Sequence, residues 1–96
     1  MISVIELSQG LISFNTTNPP GNERQCGEFI ADLLESHSFR VSRQFFEENR
    51  MNIIAERLGT NDDQAPLVLT GHLDTVPLGK TEWARDPFGG DIIDGK

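Results

Sequence analysis

The spacing of the apolar residues changes at His37, and this change constrains the fold more than any other feature of the sequence. Before His37 the apolar residues recur every three or four positions, in two sets: Val4, Leu7, Leu11 and Phe14, then Cys26, Phe29, Ile30, Leu33 and Leu34. After His37 the spacing is two: Phe39, Val41, Arg43 and Phe45 alternate with polar residues. The first spacing is that of one face of a helix, and the second is that of one face of a strand. We therefore expect two helices followed by strands, an α/β arrangement.

Local signals mark the ends of the two helices. Ser3 and Glu6 have the S-x-x-E spacing of a capping box, which predicts that the first helix begins directly after Ser3. The segment 15–21, NTTNPPG, is expected to end that helix because proline cannot be accommodated in a helix interior. Asn22 is the predicted N-cap of the second helix, and His37 is expected to meet free carbonyl groups at its end.

The remaining apolar segments predict a small mixed sheet on which the two helices pack. Residues 39–46 and 52–58 are expected to pair as an antiparallel hairpin around the polar turn 47–51. The continuous apolar run Leu67–Thr70 is typical of a third strand buried on both faces. From Gly71 onward no periodic element is predicted.

Composition excludes some classes of protein. The chain has 96 residues, the size of one small domain, and its eight Lys and Arg against fifteen Asp and Glu give a net charge of −7. This charge argues against binding to nucleic acid or to an anionic membrane, because both require a cationic surface. No apolar run approaches the roughly 20 residues of a membrane span. The single cysteine, Cys26, excludes an internal disulfide framework and indicates a reducing, cytoplasmic location.

The residues that could carry chemistry follow the predicted third strand. In an extended segment His72 and Asp74 point to the same side, because side chains alternate along a strand. A carboxylate in that position can bind one imidazole nitrogen and leave the other free for a metal ion. A histidine at a strand end is nevertheless most often a simple hydrogen-bonded residue, so this pair alone does not define a site.

The sequence around the pair is more specific. The segment 71–96, GHLDTVPLGKTEWARDPFGGDIIDGK, resembles the M20 family of zinc-dependent amidohydrolases and peptidases, and TTNPPGNE at 16–23 resembles the family's connection between its first two helices. The family includes acetylornithine deacetylase and succinyl-diaminopimelate desuccinylase, so the resemblance implies a phosphorylase/hydrolase-like zinc exopeptidase catalytic domain. It also implies cleavage of a linear amide bond in a small N-acyl amino acid or dipeptide-like substrate.

The resemblance assigns roles to two residues only. It implies a pair of zinc ions, with cobalt as a possible substitute. His72 would be a metal ligand, and Asp74 would be a catalytic-site residue whose carboxylate hydrogen-bonds this histidine and tunes its basicity. The family's bridging aspartate, paired glutamates, last histidine and lid or dimerisation domain have no counterpart in residues 1–96. We therefore expect these residues to be the N-terminal part of a catalytic domain, inactive by itself. The alternative is a non-catalytic binding or assembly module that keeps the first layer of the fold.

Other candidate residues have simpler expected roles. Cys26 lies on the apolar stripe of the second helix and is expected in the core, and Asp86 and Asp94 are expected in turns. Trp83 and Phe88 could line a substrate pocket, but packing of the long loop against the sheet is the favoured role. We also expect self-association to form a homo-oligomer, because a small sheet of this kind leaves an apolar edge or face exposed.

Overall fold

The predicted order of two helices followed by a hairpin is confirmed. A computed structural model describes residues 1–96, in which α1 spans Val4–Ile12, α2 spans Arg24–Ser36, β1 spans Arg40–Glu47 and β2 spans Arg50–Glu56. The two helices and the two-stranded antiparallel sheet form a small α/β unit, as the change of spacing at His37 predicts. No helix is both long enough and apolar enough to cross a lipid bilayer.

Helix α1 begins with the predicted capping box. The backbone N–H of Glu6 donates to Ser3 Oγ at 3.1 Å, and the backbone N–H of Ser3 donates to Glu6 Oε2 at 2.8 Å. The pKa of Glu6 lies below its ordinary value, chiefly because of the hydrogen bond from the Ser3 backbone. Two amide groups that a helix start would leave unpaired are thereby satisfied.

Helix α2 starts one residue later than predicted. The residue at its N-cap is Glu23 rather than Asn22, and no side chain caps this end. Glu23 cannot cap the helix with its carboxylate because that group binds Arg50 instead. The opposite end agrees with the prediction, since His37 Nδ1 lies 2.9 Å from the carbonyl oxygen of Leu33.

Strands β1 and β2 form the predicted hairpin with a tighter connection. Arg40 pairs with Glu56 at one end and Glu47 pairs with Arg50 at the other, with a register irregularity between Phe45 and Glu47. The strands are joined by two residues only, 48–49. The irregularity is typical of a β-bulge, which increases the local twist next to the turn.

Helix α2 packs on this hairpin through a small core. The buried apolar residues are Cys26, Ala31 and Met51, so Cys26 has its predicted core position. Gly27 permits the close approach, because a Cβ atom there would lie 2.7 Å from Met51 Sδ. Arg43 of β1 adds a polar clamp, since its guanidinium binds carboxylates of α2 from Glu28, Asp32 and Glu35.

The predicted third strand is not formed within these residues. Leu67, Val68 and Leu69 are 85%, 79% and 85% exposed, and Leu67–Thr70 pairs with no strand. The sheet is therefore the antiparallel hairpin alone, and not a mixed sheet. Apolar content is sufficient to predict a buried strand, but a strand forms only when neighbouring strands pair with it and other elements cover it. The radius of gyration of 16.0 Å reflects this open arrangement, since a packed domain of 100 residues has about 13 Å.

Candidate functional site

The candidate site forms where the segment after Gly71 meets the loop between the two helices. Thr17 and Thr75 form an isolated parallel bridge. The backbone N–H of Asn18 donates to the carbonyl of Thr75 at 2.8 Å, and that of Thr75 donates to the carbonyl of Thr16 at 3.0 Å. The TTNPPGNE segment thus holds the backbone next to Asp74 in a fixed place.

His72 and Asp74 meet as their spacing predicts. His72 Nδ1 lies 3.0 Å from Asp74 Oδ1 and 2.6 Å from the backbone oxygen of Asp74. Both neighbours are acceptors, so in the neutral imidazole Nδ1 carries the proton and donates it. The lone pair is consequently on Nε2, and the side chain of His72 is 83% exposed. This is the tautomer in which a histidine can bind a metal ion through Nε2.

The second oxygen of Asp74 is held from the opposite side. Asn18 Nδ2 donates to Asp74 Oδ2 at 2.9 Å, and Arg50 Nη2 lies 3.7 Å from the same oxygen. The pKa of Asp74 lies below its ordinary value, first because Asn18 donates to the carboxylate and then because His72 and Arg50 favour its charged form. The carboxylate is thereby kept ionised as an acceptor for His72.

Arg50 is itself fixed by a buried glutamate. Its Nε donates to Glu23 Oε1 at 2.9 Å, and Glu23 is 4% exposed. The other carboxylate oxygen, Glu23 Oε2, is buried without a hydrogen-bond partner. The guanidinium lies over the ring of Phe46, 5.2 Å from its centroid.

Gly21 provides the space that Arg50 occupies. A Cβ atom at position 21 would lie 2.5 Å from Arg50 Nε, and the backbone has a φ of +79° that disfavours any other residue type. The glycine of the NPPG segment is therefore required at this position for two independent reasons.

These groups border an open cleft of about 780 Å³ between β2 and the segment 69–74. Its polar wall includes Glu23, Arg50, His72 and Asp74, and its apolar wall comes from α2 and the hairpin. His72 therefore lies at the edge of a cleft rather than within a core.

The residues present fit one metal-ligand position and do not complete a metal site. His72 offers an oriented Nε2, and Asp74 is the carboxylate that such a ligand needs at its other nitrogen. No group of three or more His, Cys, Asp or Glu side chains is arranged to hold a metal ion. A catalytic zinc ion takes three protein ligands, so residues 1–96 by themselves lack the donors for one.

The other candidates have structural positions. Burial raises the pKa of the Cys26 thiol, as for an unreactive core cysteine. Asp86 forms the predicted turn, with its carboxylate accepting from the backbone N–H of Phe88 at 2.9 Å. Trp83 is 54% exposed, and its Nε1 donates to the carbonyl of Leu78 within the same loop. Phe88 lines a second, shallow hollow beside the loop 15–22.

Sequence reasoning missed four residues of this arrangement, namely Asn18, Gly21, Glu23 and Arg50. The resemblance at 16–23 indicated that the first three belong to a specific segment, but it gave none of them a role. Arg50 fell in the predicted polar turn, so its contact with Glu23, 27 positions away, had no local signal.

The sequence of the chain is similar to those of several known proteins. Over 98 residues the chain is 38% identical to succinyl-diaminopimelate desuccinylase of Methylorubrum extorquens, covering 97% of this chain and 24% of that protein. It is 33% identical to the desuccinylase of Ehrlichia canis, with the same two coverages. A probable carboxypeptidase of Aspergillus clavatus is 34% identical over 74 residues, covering 77% of this chain and 16% of that protein. These similarities confirm the resemblance to the M20 family.

The match covers most of this chain but only a minor part of each relative. The chain spans about a quarter of the length of the desuccinylases that it matches. No family model matches the chain, and no solved structure matches it.

Proposed function

We propose, since the chain belongs to the M20 family, that residues 1–96 form the N-terminal part of the catalytic domain of a zinc-dependent hydrolase. The complete protein would cleave a linear amide bond in a small N-acyl amino acid or dipeptide-like substrate. The names of the relatives, desuccinylase and probable carboxypeptidase, support a hydrolase that acts on such molecules. The cytoplasmic location expected from the single cysteine stays a prediction.

One observation carries this proposal. His72 Nδ1 faces two oxygens of Asp74, which leaves Nε2 as the only ring nitrogen with a free lone pair. His37 Nδ1 also faces an acceptor, the carbonyl of Leu33, but only His72 has a carboxylate partner and borders the cleft. Both features suit a ligand histidine, because its metal-binding nitrogen must be unprotonated and its other nitrogen is commonly held by a carboxylate.

The residues of this chain would act by orientation. His72 would present Nε2 to the metal, and Asp74 would hold the imidazole in its tautomer and increase its basicity. Zinc, when bound with ligands from elsewhere in the complete site, supplies a polarising charge and an activated water molecule. Residues 1–96 alone provide one such ligand, and we therefore expect them to be inactive without the rest of the site.

A chimaeric enzyme tests this function. Residues 1–96 replace the matching quarter of the Methylorubrum extorquens desuccinylase, and hydrolysis of N-succinyl-diaminopimelate is measured with and without added zinc. We expect zinc-dependent hydrolysis that is abolished by His72→Ala. His37→Ala, which changes the other histidine of the chain, serves as the matched control and should leave hydrolysis intact.

Two outcomes would contradict the proposal. Hydrolysis that survives His72→Ala would remove this residue from the metal site. A folded chimaera that binds zinc through other residues and hydrolyses nothing would favour the alternative, a non-catalytic module for binding or assembly.

A further inference from the structure

The Asp74 carboxylate is held from two sides, and the meaning of this arrangement rests on the proposed role of His72. The two oxygens of Asp74 have different partners: Oδ1 faces His72, whereas Oδ2 accepts from Asn18 and faces Arg50. A carboxylate restrained from both sides cannot rotate freely about its side-chain bonds. We propose that Asn18 and Arg50, the latter locked by buried Glu23, are positioning residues that fix Asp74 in the orientation that aligns His72.

A continuous series of polar contacts joins Glu23 to His72 through Arg50 and Asp74. Glu23 Oε1 accepts from Arg50 Nε at 2.9 Å, and Arg50 Nη2 lies 3.7 Å from Asp74 Oδ2. Arg50 is therefore shared between two carboxylates, one buried and one at the site. A guanidinium suits this role because its planar fork presents several donors in fixed directions.

The burial of the Glu23 carboxylate carries an energetic cost. Its side chain is 5% exposed, and Oε2 has no partner. A buried, half-satisfied carboxylate is unfavourable for folding. The ion pair with Arg50 offsets part of this cost and holds the guanidinium in one place at the edge of the cleft.

The loop between the helices supplies three of the residues that position Asp74 or Arg50. Asn18 binds Asp74, Gly21 leaves the space for Arg50, and Glu23 binds Arg50. Backbone hydrogen bonds from Asn18 to Thr75 and from Thr75 to Thr16 fix this loop beside the Asp74 segment. The loop thus acts as a preformed support for a pair of residues that lies more than 50 positions away along the chain.

The orientation of Asp74 can be measured directly on the 96-residue chain without metal or substrate. Three-bond NMR couplings to Asp74 Cγ report the populations of its χ1 rotamers. We expect a single rotamer in the wild-type chain and averaged couplings in both Asn18→Ala and Arg50→Gln. Arg40→Gln is the matched control, because Arg40 forms an exposed ion pair with Glu56 at the far end of the hairpin.

A double variant tests whether Glu23 acts on Asp74 through Arg50. Glu23→Gln should average the couplings less than Arg50→Gln does, because Glu23 acts through Arg50. The double variant Glu23→Gln/Arg50→Gln should resemble Arg50→Gln alone, since effects along one path are not additive. Equal and additive effects would contradict a path through Arg50.

The outcomes separate positioning from simple stabilisation. If Arg50→Gln unfolds the chain, Asn18→Ala decides, since that side chain lies in a loop and leaves the Glu23–Arg50 pair intact. Asp74 couplings that remain those of the wild type in folded Asn18→Ala or Arg50→Gln would overturn the proposal. In the chimaera, Arg50→Gln should raise the zinc dissociation constant about tenfold, measured by chelator competition, and an unchanged constant would also overturn it.

The NMR couplings and the chimaera together distinguish the positioning of Asp74 from the hydrolase function. Averaged couplings in the variants of the metal-free chain, together with an inactive chimaera, would retain the positioning unit and reject the hydrolase. Unchanged couplings together with an active chimaera would retain the hydrolase and reject the positioning unit.

Discussion

Glu23 and Arg50 form an ion pair that is largely withdrawn from solvent, with Glu23 Oε1 2.9 Å from Arg50 Nε and side-chain exposures of 5% and 22%. The pair joins the start of α2 to the start of β2. It therefore couples the packing of the helix on the hairpin to the position of the candidate site.

Replacing the buried carboxylate should destabilise the chain. Glu23→Gln leaves Arg50 without its close counter-charge, and we expect a loss of about 1–3 kcal/mol in the free energy of unfolding. The measurement is equilibrium urea denaturation followed by circular dichroism. Glu56→Gln, which breaks the exposed pair with Arg40, should cost less than about 1 kcal/mol. Equal losses in the two variants would contradict the importance of burial.

Gly21 should tolerate alanine poorly for two reasons that a second glycine can separate. Gly21→Ala places a Cβ atom 2.5 Å from Arg50 Nε at a φ of +79°. Gly79 has a similar φ of +85° but has nothing within 4 Å of such a Cβ atom. We expect Gly79→Ala to cost about 1 kcal/mol from backbone strain alone, and Gly21→Ala to cost clearly more. Similar denaturation midpoints would show that Arg50 moves aside freely.

The parts of the fold with local signals could be predicted from the sequence. The capping box of Ser3 and Glu6 involves residues three apart, and the amphipathic stripe of α2 repeats within one helix. The His72–Asp74 contact joins residues two positions apart in an extended segment. In each case the geometry of a single element fixes the neighbours.

The remaining features depend on contacts between distant segments. Glu23 was expected to follow an Asn22 cap, yet it takes the cap position itself, and its carboxylate binds Arg50, 27 positions away, instead of capping the helix. Asn18 lies 56 positions from Asp74. Leu67–Thr70 is sufficiently apolar for a strand, but no other strand of these residues pairs with it. Such contacts have no signature in the spacing of a single sequence.

The exposed run Leu67–Leu69 should cause concentration-dependent association. All three side chains are at least 79% exposed, and unpaired strand-like segments of this kind bind other chains. We expect Leu67→Lys/Leu69→Lys to weaken self-association in analytical ultracentrifugation. Leu58→Lys/Val76→Lys changes two residues that are 93% and 80% exposed but are not adjacent in an apolar run, and it should have less effect. A wild-type monomer at high concentration would contradict this prediction.

The capping box should make α1 sensitive to pH. The pKa of Glu6 is lowered in the folded chain by the hydrogen bonds with Ser3. The stabilisation is therefore present above the unfolded pKa, about 4.3, and it is lost as the pH falls through the lower folded pKa. Ser3→Ala removes the hydroxyl but keeps the backbone N–H that gives the larger part of the shift, so it should raise the Glu6 midpoint only part of the way toward the ordinary value in an NMR titration. Ser8→Ala removes a hydroxyl from the same helix that bonds only to Val4, and an equal shift there would contradict the assignment.

Gly27 should reverse the usual preference of helices for alanine. In a helix interior, exchanging glycine for alanine normally stabilises by about 1 kcal/mol. At position 27 the new Cβ atom would lie 2.7 Å from Met51 Sδ and 2.8 Å from Met51 Cγ, in the small core between α2 and β2. Because overpacking a core costs about 1–3 kcal/mol, we expect Gly27→Ala to lower the free energy of unfolding. Gly10→Ala in α1 is the control, since its Cβ atom would meet only Phe29, at 3.4 Å, and it should be neutral or stabilising. If the clash is the cause, the double variant Gly27→Ala/Met51→Ala should lose less than the sum of the two single variants, and additive losses would contradict this explanation.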